Sequence, residues 1–88
     1  AKQYPAAIAV ARKVLSDDPA HLAALNVLGN AARLQGDFQL AKQAFIQQVE
    51  RAPHDPEAHY NYGVVLQDLW DMAGARAAYE RAIALNPK

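Results

Sequence analysis

Apolar residues recur at intervals of three and four along the chain, first as Leu22, Leu25, Leu28 and Ala32, then as Phe38, Ala41, Phe45 and Val49. Such spacing gathers them on one face of an α-helix, so each run predicts an amphipathic helix. Gly36-Asp37 lies between the runs. Glycine can take the left-handed conformation that closes a helix, and aspartate can cap the helix that follows, so the pair predicts a helical hairpin. Asp55-Pro56-Glu57 opens the next unit with a capping acid, a proline suited to the first turn and an acid favoured by the helix dipole. Continued in both directions, the pattern predicts five helices over residues 4–17, 20–35, 38–52, 56–69 and 72–86.

The chain matches itself best at an offset of 34 residues, which pairs Gly29 with Gly63, Asp37 with Asp71, Ala41 with Ala75, Phe45 with Tyr79 and Pro53 with Pro87. Asn26 with Tyr60 and Val49 with Ile83 fall in the same step, and one step back lie Ala7, Leu15 and Pro19. A period of this size marks an array in which each unit buries its apolar face against its neighbours. The spacing Leu25, Leu28-Gly29, Ala32, Ala41, Phe45, Pro53 resembles the signature of the tetratricopeptide repeat, and His59, Tyr62-Gly63, Leu66, Ala75, Tyr79, Pro87 repeats it. Residues 1–21 fit the second half of such a unit, residues 22–55 one full unit and residues 56–88 another, in a single domain. The resemblance implies an all-α superhelix of antiparallel helix pairs. Leu25 and His59 stand where the family has tryptophan, Gln48 where it has a small residue, and Trp70 where Gly36 stands one unit earlier. Gly29 and Gly63 are expected to let paired helices approach closely near Ala41 and Ala75, and Trp70 is expected to pack at the edge of the core, the alternative being that it projects as an aromatic anchor for a partner.

Composition narrows the partners. Nine basic and nine acidic side chains cancel, which removes the footprint of a protein that binds phosphate backbones or anionic lipid, so neither nucleic acid nor membrane is expected. There is no cysteine, which excludes disulfides and thiol chemistry. Threonine is absent and Ser16 is the sole serine, in keeping with a helical chain. No apolar stretch approaches a membrane span, and the opening residues lack the apolar core of a signal peptide. A cytoplasmic protein is expected; a chain that starts in mid-repeat would have lost any leader of a longer parent.

Catalysis needs a nucleophile or metal, an oriented base and a shaped pocket. Ser16 sits at a helix end with no histidine in helical register, and His21, His54 and His59 lack the spacing of shared metal ligands. Scattered glycines form no phosphate loop. The expectation is therefore a protein that is not an enzyme and carries no cofactor or metal. By resemblance, the first helix of each hairpin lines a concave groove, and the positions left free by packing include Asn26, Asn30, Arg33, Tyr60, Asn61 and Gln67. Their amides can exchange hydrogen bonds with an extended peptide, and Tyr60 adds a flat apolar contact. Family members that grip a C-terminal carboxylate use lysines, asparagines and an arginine. Here Asn30 and Asn61 match the asparagines, but Asn26 occupies the first lysine position. Others line a superhelix with an asparagine ladder, which Asn61 fits and Val27 interrupts.

The function implied is a scaffold holding a protein or peptide in the concave groove or at an exposed end; the alternative is a structural or targeting segment of a larger enzyme such as a transferase. Five helices also leave unpaired ends. Ile8, Ala11 and Leu15 at one end, with Ile83 and Leu85 at the other, are expected to expose apolar surface and drive self-association, a closed dimer over an open filament.

Overall fold

The computed structural model describes residues 3–87, and among them every regular element is helical: α1 (Tyr4–Asp17), α2 (Leu22–Gln35), α3 (Phe38–Arg51), α4 (Pro56–Asp68) and α5 (Met72–Leu85). Helix α1 packs on α2, α2 pairs with α3, α3 carries α4, and α4 pairs with α5, so the array grows by nearest-neighbour contacts. It is an all-α helical repeat solenoid. The predicted boundaries hold within a residue or two; the largest shift is at α2, which starts at Leu22 because Asp18 to His21 form a turn closed by His21 N–H on the Asp18 carbonyl at 3.1 Å.

Helices α2 to α5 each start on a side-chain cap, and α1, which opens with Pro5 in its first turn, has none. Asp37, Asp71 and Asp55 accept from the backbone N–H groups of Leu40, Gly74 and Glu57 at 3.2, 2.9 and 3.0 Å. At α2 the same job falls to His21, whose Nδ1 accepts from Ala24 N–H at 3.1 Å. This answers one histidine in structural terms, since His21 occupies the place that Asp55 holds one unit later.

The two hairpin turns are alike in hydrogen bonding and unlike in chemistry. Gly36 N–H bonds the Arg33 carbonyl and Asp37 N–H the Ala32 carbonyl; Trp70 N–H bonds the Gln67 carbonyl and Asp71 N–H the Leu66 carbonyl. Such a turn needs one residue with positive φ. Gly36 supplies it at 93° and Trp70 at 62°, the latter being the one non-glycine residue with positive φ among those described. The left-handed backbone carries the indole outward, and Trp70 is 82% exposed. The expectation that it packs at the core edge is thus overturned: the conformation demanded by the turn decides the direction of the side chain.

The core centres on α2 and α3. Leu28, Ala31, Ala32, Ala41, Ala44 and Phe45 form one buried cluster that Ile8 and Ala11 join from α1 and Val65 from α4. Alanine at these positions brings helix axes close, and the ring of Phe45 fills what remains. Gly29 makes room for that ring: a Cβ there would stand 2.5 Å from Phe45 Cζ. Gly63 does likewise for Tyr79, whose Cε1 would lie 2.7 Å from an added Cβ. The atoms nearest to each glycine are thus those of an aromatic ring on the second helix, a contact the sequence reading did not name. Gln48, in place of the family's small residue, is 4% exposed, and its Oε1 has no partner among the described residues.

The expected exposure of the first helix is also corrected. Ile8 and Ala11 are buried and Leu15 is half-buried, because α1 lays that face on α2 and so covers it within the chain. What α1 leaves in solvent is Val10, beside exposed Val27 of α2. At the other end Ile83 is 62% exposed, as expected, while Leu85 is half-buried. No helix among the described residues is long and apolar enough to cross a membrane.

Candidate functional site

Helices α2 and α4 are the first members of successive hairpins and run side by side, so their outward faces share one surface. Side chains 35 residues apart meet across it. Asn61 Nδ2 donates to Asn26 Oδ1 at 2.9 Å, and Arg33 Nε pairs with Asp68 Oδ2. Within α2, Asn30 Nδ2 donates to Asn26 Oδ1 and to the Asn26 carbonyl, both at 3.1 Å. Asn26 is thus the hub: its one side-chain oxygen accepts hydrogen bonds from both other asparagines. An amide offers one oxygen and two N–H groups, so Asn30 and Asn61 keep their Oδ1 atoms, which have no partner among the described residues.

Tyr60 and Gln67 flank this set toward α5. Tyr60 is exposed, and its ring lies 5.6 Å from that of Tyr79 with the planes tilted by 44°. Tyr79 Oη donates to Gln67 Oε1 at 2.9 Å. Burial holds the Tyr79 pKa above its ordinary value; Tyr60 and Asp68 push it the same way, against a smaller opposite effect of Arg33. The phenol therefore remains a hydrogen-bond donor. A recess of about 210 Å³ opens among Asn30, Arg33, Phe45, Tyr60, Asn61 and Val64.

All six residues expected in the groove share this face: Asn26, Asn30, Arg33 and Asn61 interact through it, and Tyr60 and Gln67 border it. The sequence did not reveal that Arg33 is matched by Asp68, or that Tyr79 of α5 orients Gln67. The first was legible in principle. With a period of 34, a residue and the one 35 positions on come to neighbouring places on adjacent first helices, which is the spacing of both Asn26–Asn61 and Arg33–Asp68. Electrostatically the face is not cationic: α2 and α4 together carry one base, Arg33, and two acids, Glu57 and Asp68. No group of three or more His, Cys, Asp or Glu residues that could hold a metal ion occurs among the described residues. His59 Nε2 lies 2.8 Å from the Pro53 carbonyl oxygen, and His54 is exposed in the same turn.

A family model for the tetratricopeptide repeat matches residues 1–45 and again residues 28–88. The chain belongs to the tetratricopeptide repeat family. One solved structure, MamA MSR-1 C2, superposes with a TM-score of 0.90 over 97% of this chain, at 20% sequence identity. The present chain spans about half of that protein, 49% of its length, and likeness at this identity speaks for the fold alone. No curated protein matches the sequence significantly. Tetratricopeptide repeats serve in general as scaffolds for protein–protein interaction, and this chain shares that general character. In repeat terms, α2–α3 and α4–α5 are two hairpins, and the asparagine hub and the Arg33–Asp68 pair tie their first helices together.

Proposed function

We propose that the face shared by α2 and α4 receives an extended segment of another protein and holds it through amide hydrogen bonds, without a catalytic step of its own. The observation that supports this reading most is the Asn26 hub. It fixes the amides of Asn30 and Asn61 while leaving their Oδ1 atoms open, and fixed polar groups lose little freedom when a ligand arrives. Arg33 is already paired with Asp68, so a chain-terminal carboxylate would have to compete for it; an internal, uncharged stretch fits better. Tyr60 and Val64 beside the recess offer room for one apolar side chain. With two first helices, the contact area is small, and an affinity on the order of micromolar is expected. The test is a pull-down followed by calorimetry on the partner obtained, comparing wild type with the Asn30→Ala, Asn61→Ala double variant. Equal affinity in a variant shown to be folded would remove this face from the binding site.

A second reading, self-association, is carried by the α1–α2 end. There Val10, Val14, Ala23 and Val27 border a recess of about 190 Å³ with an almost wholly apolar lining, a surface that two copies could cover for each other. Sedimentation across a concentration series, with Val10→Glu beside wild type, tests it. A wild-type monomer at high micromolar concentration would rule it out.

A further inference from the structure

The three asparagines of the shared face form a network whose polarity is set by the main chain. The Asn26 carbonyl accepts in any arrangement, so the Asn30 atom that lies 3.1 Å from it is the amide nitrogen. That nitrogen also lies 3.1 Å from the Asn26 side chain, and two amide nitrogens cannot bond each other, so the Asn26 atom is Oδ1. The same oxygen makes Asn61 turn its own nitrogen inward, at 2.9 Å. An isolated amide can turn end for end and present oxygen or nitrogen as a ligand requires. These three cannot, because reversing any one of them sets oxygen against oxygen or nitrogen against nitrogen. Asn30, with its two N–H groups directed at the two Asn26 oxygens, has only Oδ1 to offer a partner; Asn61 keeps one N–H and its Oδ1. Both residues border the recess of about 210 Å³ between α2 and α4.

We infer that this fixed polarity makes the face a reader of main-chain N–H groups, with Asn26 as the positioning residue behind it. The inference rests on the extended-segment reading given above and names what that segment must carry: the residue that enters the recess presents a main-chain N–H to Asn30 Oδ1 and is therefore not proline. Size alone would admit proline, whose compact apolar ring suits the recess and could lie on Tyr60. Its nitrogen bears no hydrogen, however. Set against an oxygen that can only accept, it would leave that oxygen without a partner once the segment has displaced the water, and a partner able to donate is favoured by that difference. Charge supplies no second route, because Arg33, the base beside the recess, is already paired with Asp68. The face thus selects against polyproline-type segments and for extended segments that keep their N–H groups. Asn26 exerts this selection without needing to touch the segment, by holding the Asn30 amide in one of its two orientations.

The experiment starts from short peptides selected on the intact chain from a random library and kept only if the Asn30→Ala, Asn61→Ala variant binds them less tightly. Each main-chain amide of such a peptide is then replaced in turn by an ester, which puts an oxygen in place of the N–H and adds no bulk. One replacement is expected to weaken binding to wild type by about 10- to 100-fold, because the ester oxygen faces Asn30 Oδ1, and proline at that position is expected to be refused as well. In Asn26→Ala, a change that suits a helix, the Asn30 amide can turn its nitrogen toward the ester, so the penalty should shrink to about threefold or less. Asn26→Asp keeps the accepting oxygen and should keep the full penalty. Were Asn26 important for packing alone, its loss would weaken amide and ester peptides alike and leave their ratio unchanged. A peptide that tolerates the ester at every position, or a penalty that survives Asn26→Ala, would overturn the inference while the face remained the binding site. A library that yields no peptide sensitive to the double variant would remove the face and the inference together.

Discussion

Gly29 and Gly63 occupy the same place in successive units, yet replacing them by alanine should have unequal consequences. Either change gains about 1 kcal/mol of helix propensity. Against this stands the added Cβ. At Gly29 it would lie 2.5 Å from Phe45 Cζ and closer still to Cε1, and Phe45 is 1% exposed, so its ring can move only by displacing buried neighbours or by entering the recess beside Asn30 and Asn61. Overpacking of a core costs about 1–3 kcal/mol, and a ring hemmed in by buried neighbours puts this case at the upper end. The net expectation for Gly29→Ala is a loss of about 2 kcal/mol. At Gly63 the Cβ would lie 2.7 Å from Tyr79 Cε1, but Tyr79 is only half-buried and borders two open recesses, so its ring can swing outward. Gly63→Ala should therefore fall within about 1 kcal/mol of wild type. Urea unfolding followed by circular dichroism measures both. For a chain of this length the difference corresponds to roughly 4–8 °C in Tm for each kcal/mol. A cycle with Phe45→Leu sharpens the test: that change alone leaves a cavity, but combined with Gly29→Ala the two should compensate, with a coupling energy above about 1 kcal/mol. If Gly29→Ala were as stable as wild type, or if the cycle showed no coupling, the reading of Gly29 as the seat of Phe45 would be wrong.

Trp70→Gly should stabilise the chain by about 0.5–1 kcal/mol, because it relieves a left-handed backbone at a side chain that buries little; a lowered unfolding midpoint would show that the indole packs. Gln48→Met removes a buried amide oxygen that has no partner while keeping most of the side-chain volume. A gain of about 1–2 kcal/mol is expected in urea unfolding, and an unchanged midpoint would mean that the oxygen is already satisfied. The raised pKa of Tyr79 has a definite sign: the unfolded phenol ionises first, so this contribution to stability is complete below a pH of about 10 and is lost as the pH rises through the folded value. Urea midpoints measured toward high pH should fall less steeply in Tyr79→Phe than in wild type, and parallel slopes would contradict the shift.

Local chemistry along the chain was enough to specify the helices, their hairpin pairing and the repeat, because each depends on neighbours three, four or 34 positions away. Periodicity placed Leu25, Leu28, Ala32, Ala41 and Phe45 on buried faces, Asp37 and Asp55 at helix starts and Gly36 at a turn, and all are found there. That the six residues expected in the groove lie on or beside one face was also legible, since a period shared by two helices sets their outward positions in parallel. Other features depend on distances no pattern of residue types encodes. Burial of Ile8 and Ala11 required knowing that α1 turns that face to α2. The outward Trp70 followed from a turn geometry that the hydrogen bonds impose whatever residue stands in it, and propensity alone argued for burial. The joining of Asn26 to both Asn30 and Asn61, and of Arg33 to Asp68, depends on how far apart and at what angle two first helices cross. That is fixed by the small residues and the Phe45 ring packed beneath them. Sequence thus determined which side chains share a surface, and the packing of helix against helix decided which of them are already occupied with one another and which remain open to a partner.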